Sequence, residues 1–300
     1  VVVGSVGLDT IVTPRERREE VIGGSASYAC AAAARLGARV AMVGVVGEDF
    51  PPAERRRFEQ LGLVLDGLQT APGRTFRWTG EYAQNMNERR TLCTELNVFE
   101  TFRPELPRGC RAAPFLFLAN IAPALQLHVL DQMSRRPRFV MADTMDLWIR
   151  TAPGDLRRLL RRVDLLTVNE SEAEHLTGCR GLRAAGPALL AMGPRWVIVK
   201  RGEYGSALIH RRGLCLLPAY PVADARDPTG AGDTFAGGLV GCLAEGRTVS
   251  ERALRRAMVY GTVMASFAVE EFGLDWVARA TRPAIARRVP STSHARKSGS

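Results

Sequence analysis

Lysine is almost missing from this chain. Of its 41 Lys+Arg residues only Lys200 and Lys297 are lysine, so arginine carries the formal charge of +10. A charge of that size invites a nucleic-acid partner. The arginines, however, are spread along the whole chain. Their densest groups, "PRERREE", "ERRRF" and "LRRLLRR", are offset by acids or lie along helical faces, and they read as solvated surface with no nucleic-acid partner. Paired cysteines are also lacking: Cys30, Cys93, Cys110, Cys179, Cys215 and Cys242 are scattered without a C-x-x-C. In a chain of this length that argues for reduced thiols and a cytoplasmic location, not a disulfide framework. The four histidines show no metal-ligand spacing, which removes the usual zinc patterns. No apolar run approaches the ~20 residues of a membrane-spanning helix, and no membrane partner is expected. The opening "VVVGSVGLD" has neither a basic flank nor a cleavage-like site, so it reads as a first strand and not as a signal peptide.

What remains is a globular composition, 46% hydrophobic and 24% charged over 300 residues, long enough for one large α/β domain. Short unbroken apolar runs recur: "VVVGSVG", "RVAMVGVVG", "PFLFLANI", "RFVMAD", "VDLLTVN" and "WVIVK". Runs of this length fit strands buried on both faces. Helical spacing separates them, at Ser27–Leu36, Pro52–Leu61, Ala124–Met133, Asp155–Arg162, Ser171–Leu176 and Leu182–Met192, and two longer helices follow near 231–244 and 250–270. This alternation predicts a mostly parallel sheet with helices on both sides. Residues 11–22 and 74–99 break the rhythm. They are expected to form a small sheet outside the main one, placed to cover a site; a pair of long surface loops is the other reading. The expected organisation is one domain over 1–285 and a basic, disordered tail over 286–300.

Chemistry concentrates in "DPTGAGDTFAGG", Asp227 to Gly238. Pro228 and Gly230 forbid a regular strand, and the apolar segment that follows is a helix. Thr229, Gly230, Ala231 and Gly232 therefore make a tight turn into a helix N-terminus, where unpaired N–H groups and the helix dipole favour an anion. Asp233 stands at the mouth of that turn, either as an ordinary N-terminal carboxylate or as a base beside a phosphate. Gly237, Gly238 and Gly241 lie to one side of the helix and suit close packing on the sheet. A P-loop and a dinucleotide fingerprint both fail on residues: neither lysine follows a GxxxxGK array, and "GAGDTF" lacks the third glycine. A second cluster of small residues, "GGSASYACAAAARLG", begins a helix after Gly23 and Gly24. Asp9, at the end of the first run, would meet that turn at the carboxyl ends of the strands. An acid beside free N–H groups suits a polyhydroxylated ligand, though strand-end and capping chemistry would look the same.

Taken together, these stretches resemble the PfkB, or ribokinase-like, carbohydrate kinases. "DPTGAGDTFAGG" is similar to that family's second signature and "GGSASYACAAAARLGARVAMVGVVGEDF" to its first. "VNESEAEHLTG" resembles its N-x-x-E region and "VKRGEYGS" its glycine-containing nucleotide loop, and the four occur in the family's order. The resemblance implies a three-layer α/β/α sandwich with a β-lid and an ATP-dependent kinase. Asp233 would be its general base, and Gly230, Ala231 and Gly232 its anion hole. Asn169 and Glu172 would organise Mg²⁺. Lys200, Gly202, Gly205, Asp227 and Thr229, with Asn169, would line the nucleotide. Asp9, Gly23, Gly24 and Tyr28 would hold the acceptor. It also implies a monovalent cation such as K⁺ beside the anion hole, and a homodimer through the lid.

Three departures bear on the acceptor. Tyr28 stands where many relatives carry Asn, Asp143, Met145 and Asp146 replace an Asp-x-Asn pattern, and Met258 lies near a position often polar. The expected substrate is the primary hydroxyl of a small sugar or polyol. The alternative is a nucleoside (adenosine-like) kinase, in which Phe76, Trp78, Tyr82 or Tyr28 would wall the base. A ligand-binding protein that keeps the fold without catalysis is the distant third.

Overall fold

A computed structural model describes residues 1–84, 86 and 89–292. Its strands are β1 (Val2–Val3), β2 (Gly7–Val12), β3 (Arg17–Gly23), β4 (Ala41–Gly47), β5 (Val64–Ala71), β6 (Phe76–Tyr82) and β7 (Arg89–Glu95). They continue with β8 (Phe115–Leu118), β9 (Phe139–Asp143), β10 (Leu165–Asn169), β11 (Trp196–Lys200), β12 (Ser206–His210) and β13 (Gly213–Leu217). The helices are α1 (Ser25–Arg35), α2 (Pro52–Gln60), α3 (Pro123–Asp131), α4 (Asp146–Thr151), α5 (Pro153–Leu160) and α6 (Glu170–Thr177). After them come α7 (Leu182–Ala191), α8 (Ala231–Gly246), α9 (Glu251–Ala268), α10 (Trp276–Arg279) and α11 (Arg282–Thr292).

The apolar runs become the central sheet, in the order β13-β12-β11-β10-β9-β8-β1-β4-β5. All its pairings are parallel except those of β12. Successive residues of one strand feed opposite cores, because side chains alternate across a sheet. Phe139 and Met141 enter the cluster with α1, α8 and α9, whereas Val140 and Ala142 enter the one with α3, α5 and α7. That gives the expected three layers, with every β9 residue buried.

The expected outer sheet is present: β3-β2-β6-β7, with β2 and β6 parallel and the outer pairings antiparallel. It starts earlier than the sequence suggested. Only Val2–Val3 joins the main sheet, and Gly7–Val12 is a lid strand, so Asp9 belongs to the lid and does not end a central strand. Register explains why, since β2 pairs along its whole length with β6. Residues 85, 87 and 88 of the lid segment lie outside the described residues.

Two further expectations shift. The chain from 286 is helical through α11, which buries Ile285 and sets Arg288 over the Phe267 ring and against Glu270. The last eight positions of the expected tail, 293–300, are outside the described residues. The glycines of α8 serve helix–helix contact, not helix–sheet contact: Gly237 and Gly241 meet Ala29 and Ala33 of α1, while Gly238 meets Gly261 of α9. Among the described residues no helix is long and apolar enough to cross a membrane.

Candidate active site

The phosphate-type turn opens α8. Gly230 is its N-cap, in the left-handed region at φ 70°. A Cβ there would overlap the Tyr28 ring, so both the backbone angle and the packing require glycine. The turn is braced from behind: Asp227 Oδ1 accepts the Thr229 N–H at 2.8 Å, and the Ala231 N–H returns to the Pro228 carbonyl at 3.2 Å. The first N–H groups of a helix have no intrahelical acceptor; in α8 the Ala231 N–H is taken by that carbonyl, and the Gly232 N–H next to Asp233 is left for a ligand.

Lys200, at the end of β11, approaches the same turn. A Cβ on Gly232 would stand 3.3 Å from Lys200 Nζ. The ammonium is held by Asp143 at the end of β9, at 2.9 and 3.2 Å from its two carboxylate oxygens. One strand over, Asn169 caps α6 in a reciprocal box: its Oδ1 accepts the Glu172 N–H and Glu172 Oε2 accepts the Asn169 N–H, both at 2.8 Å. Parallel strand ends and the start of α6 thus gather Asp143, Asn169, Glu172 and Lys200, with Asp143 and Lys200 acting on Asp233.

The lid closes the opposite side. Asp9 is buried, its Oδ1 has no hydrogen-bond partner among the described residues, and a Cβ on Gly23 would overlap its carboxylate. The Tyr28 hydroxyl is likewise buried and unpartnered. Gly24 is the N-cap of α1, without a side-chain cap bond. Gly202 and Gly205 stand one step back. Both have positive φ, at 56° and 88°, and Gly205 packs on the backbone after β13, so they shape the loop that follows Lys200.

The model that describes pfkB family carbohydrate kinases matches residues 2–275. The chain belongs to that family. It is similar to the cytidine kinase of Thermococcus kodakarensis, 30% identical over 84% of this chain and 90% of the other. It is 27% identical to the ribokinase of Bacillus subtilis, over 91% and 93% of the two chains. In fold it resembles the Burkholderia thailandensis nucleoside kinase solved with inosine, with TM-score 0.78, 21% identity and coverage of 97% and 96%. This PfkB-family protein is a phosphotransferase with an alcohol acceptor.

Withdrawal from water dominates the electrostatics of the PfkB site. Burial pushes the Asp233 carboxyl up to about 7; Asp143 adds to the rise, and Lys200 and Arg89 oppose it. Burial raises Asp9 to about 8, with Asp227 and Asp233 adding to it. Glu172 rises to about 7 and Asp227 to about 6 for the same first reason. Burial alone would lower the Lys200 ammonium, but Asp143, Glu172 and Asp233 together hold it above its ordinary value.

Two contributors were invisible in the motifs. Arg89, on the lid, acts electrostatically on both Asp9 and Asp233. Tyr82, considered above as a wall for a base, is committed elsewhere: its hydroxyl is 2.9 Å from Thr229 Oγ1. No local spacing signals either one, because both reach the site only when the lid folds over.

Proposed function

We propose that this kinase transfers the γ-phosphate of ATP to the primary hydroxyl of a ribonucleoside, with Asp233 as general base. The observation that carries this reading is the meeting of Asp233, the glycine turn and the Lys200 ammonium at one point. Phosphoryl transfer is mostly positioning and charge neutralisation. The N–H groups of Gly230 and Gly232, together with Lys200, face the charge that develops on the moving phosphoryl group, while the Ala231 N–H stays on the Pro228 carbonyl and holds the turn. The Asp233 carboxylate takes the proton of the attacking hydroxyl as the new P–O bond forms and the bond to ADP breaks, and then releases it to solvent. The hard oxygens of Glu172 and Asn169 fit Mg²⁺ held through water; among the described residues no three acids, histidines or cysteines are set to bind a metal directly. Bound there, Mg²⁺ supplies charge neutralisation on the β- and γ-phosphates.

Three features favour a ribosyl acceptor that carries a ring. Asp9 Oδ1 and the Tyr28 hydroxyl are buried and unpartnered, ready for sugar hydroxyls. Trp78 is in register with Asp9 on the adjoining strand, which sets its ring on the same face of the lid. The likeness to a cytidine kinase points the same way. Of the other aromatics, Phe76 packs on Phe99 and Tyr28 lies on Gly230. Free ribose is the second reading, favoured by the likeness to a ribokinase over 91% of the chain. The cluster of Asp9, Asp227 and Asp233 disfavours an acceptor that already bears a phosphate.

The test is ADP formation from ATP·Mg²⁺ with cytidine, other nucleosides, ribose and a phosphorylated sugar. Turnover with a nucleoside is expected, and Asp233→Asn lowers kcat by about 10²–10⁴-fold. Turnover with the phosphorylated sugar alone, or an undiminished Asp233→Asn variant, overturns the reading.

A further inference from the structure

Tyr82 makes a direct hydrogen bond between the lid and the phosphate turn, beside the apolar contacts and rim ion pairs that seat the lid. It ends β6, and its ring is buried with Ile11 of β2 and Phe272 behind α9. Val21 and Ile22 of β3 rest on the neighbouring Gly273. At the rim, Arg226 pairs with Glu16 at 2.9 Å and Arg15 pairs with Asp224. These contacts seat the lid, but none of them ends on the phosphate turn. The Tyr82 hydroxyl does, 2.9 Å from Thr229 Oγ1. Both residues are buried, at 6% and 8% exposure. When the lid lifts, the bond between the two hydroxyls is lost, and Thr229 is left held from the core side alone, where Asp227 accepts from its backbone N–H and its side chain.

We propose that Tyr82 is a positioning residue that couples the seating of the lid to the shape of the phosphate-binding turn. The inference rests on the kinase reading above and deepens it. Thr229 immediately precedes Gly230, the left-handed residue on which the turn depends, so a bond fixing its side chain limits the backbone at the point where the phosphate arrives. Asp9 lies on β2, in register with β6 through Trp78. An acceptor that draws the lid down onto Asp9 therefore also draws Tyr82 onto Thr229. Coupling of this kind is reciprocal: a nucleotide that orders the turn must also steady the lid.

The reciprocal arm needs no acceptor and is the better test. Amide hydrogen exchange of β2 and β6 is measured with and without the non-hydrolysable analogue AMP-PNP and Mg²⁺, with calorimetry to confirm nucleotide binding. In the wild type and in Thr229→Ser, which keeps the hydroxyl, the nucleotide slows exchange about three- to tenfold, the range set by one hydrogen bond between neutral groups. In Tyr82→Phe the slowing drops below about twofold although nucleotide still binds; Thr229→Val, compared at nucleotide concentrations that saturate it by calorimetry, shows the same drop, and the double variant is no worse than either single one. A purely structural tyrosine predicts a different result, in which Tyr82→Phe exchanges faster in both states and the nucleotide effect is kept. That result, or losses that add in the double variant, overturns the coupling. A wild type that does not bind AMP-PNP overturns the kinase reading and the coupling together.

Discussion

At the scale of single residues, the site sets a proton inventory. Asp233 stands at about 7, so as general base it is ineffective when protonated and effective when ionised. The rate should therefore climb about tenfold per pH unit below 7 and level off above it. A pH profile of kcat/KM for the wild type, which reports groups of the free enzyme, checks this, and a profile flat from pH 5 to 8 would remove Asp233 from the role. Asp233 and its turn were legible in the sequence because they are contiguous: helix start, glycines and acid all lie within "DPTGAGD". Arg89 was not, and Asp143 and Tyr82 were named there without their partners, Lys200 and Thr229, because each acquires its neighbours only through long-range pairing. Tyr28 was noticed as a departure, but its packing on Gly230 is a three-dimensional fact that no spacing encodes.

Among the elements, most helix positions were readable because amphipathic spacing and capping are local, as with Asn169 and Glu172 on α6, whereas α4, α10 and α11 were not expected. Sheet membership was not. "VVVGSVGLD" looks like one run, yet Val2–Val3 pairs with β4 and β8 while Gly7–Val12 pairs with β3 and β6. The choice is made by partners tens of residues away. The contact between α1 and α8 gives an element-scale prediction. A Cβ on Gly237 would overlap the Ala29 backbone, whereas one on Gly246 meets nothing. Gly237→Ala should cost about 1–3 kcal/mol through overpacking, and Gly246→Ala should be neutral or slightly stabilising. Thermal unfolding of the two variants side by side decides it; equal losses would mean that the close approach is not what holds the helices.

For the whole molecule, four acids sit above their ordinary range: Asp9 at about 8, Glu172 and Asp233 at about 7, and Asp227 at about 6. Each binds its proton more tightly folded than unfolded, so its contribution to stability is complete in acid and is lost as pH rises through the folded value. Stability of the unliganded protein should therefore decline from about pH 4 to about pH 8 on account of these groups. Asp9→Asn should unfold at a higher temperature than the wild type at pH 8.5 and close to it at pH 5; a difference independent of pH would place the strain elsewhere. Assembly is the second question at this scale. The edge strand β7 is exposed throughout and presents Leu92, with Leu96 directly after its end, at 46% and 42% exposure. We propose that two copies pair through this edge. Sedimentation should show a dimer that Leu92→Lys dissociates, and a monomeric wild type would exclude it.

The scarcity of lysine has one more consequence. With two lysines in 300 residues and one of them beside the phosphate turn, an amine-directed reagent meets an almost blank surface. An acylating or aldehyde-bearing ATP analogue would mark Lys200 against little background, and plain ATP would protect it. Occupancy of the nucleotide site could then be followed by the mass of a single covalent adduct, in a crude mixture and before any acceptor is known.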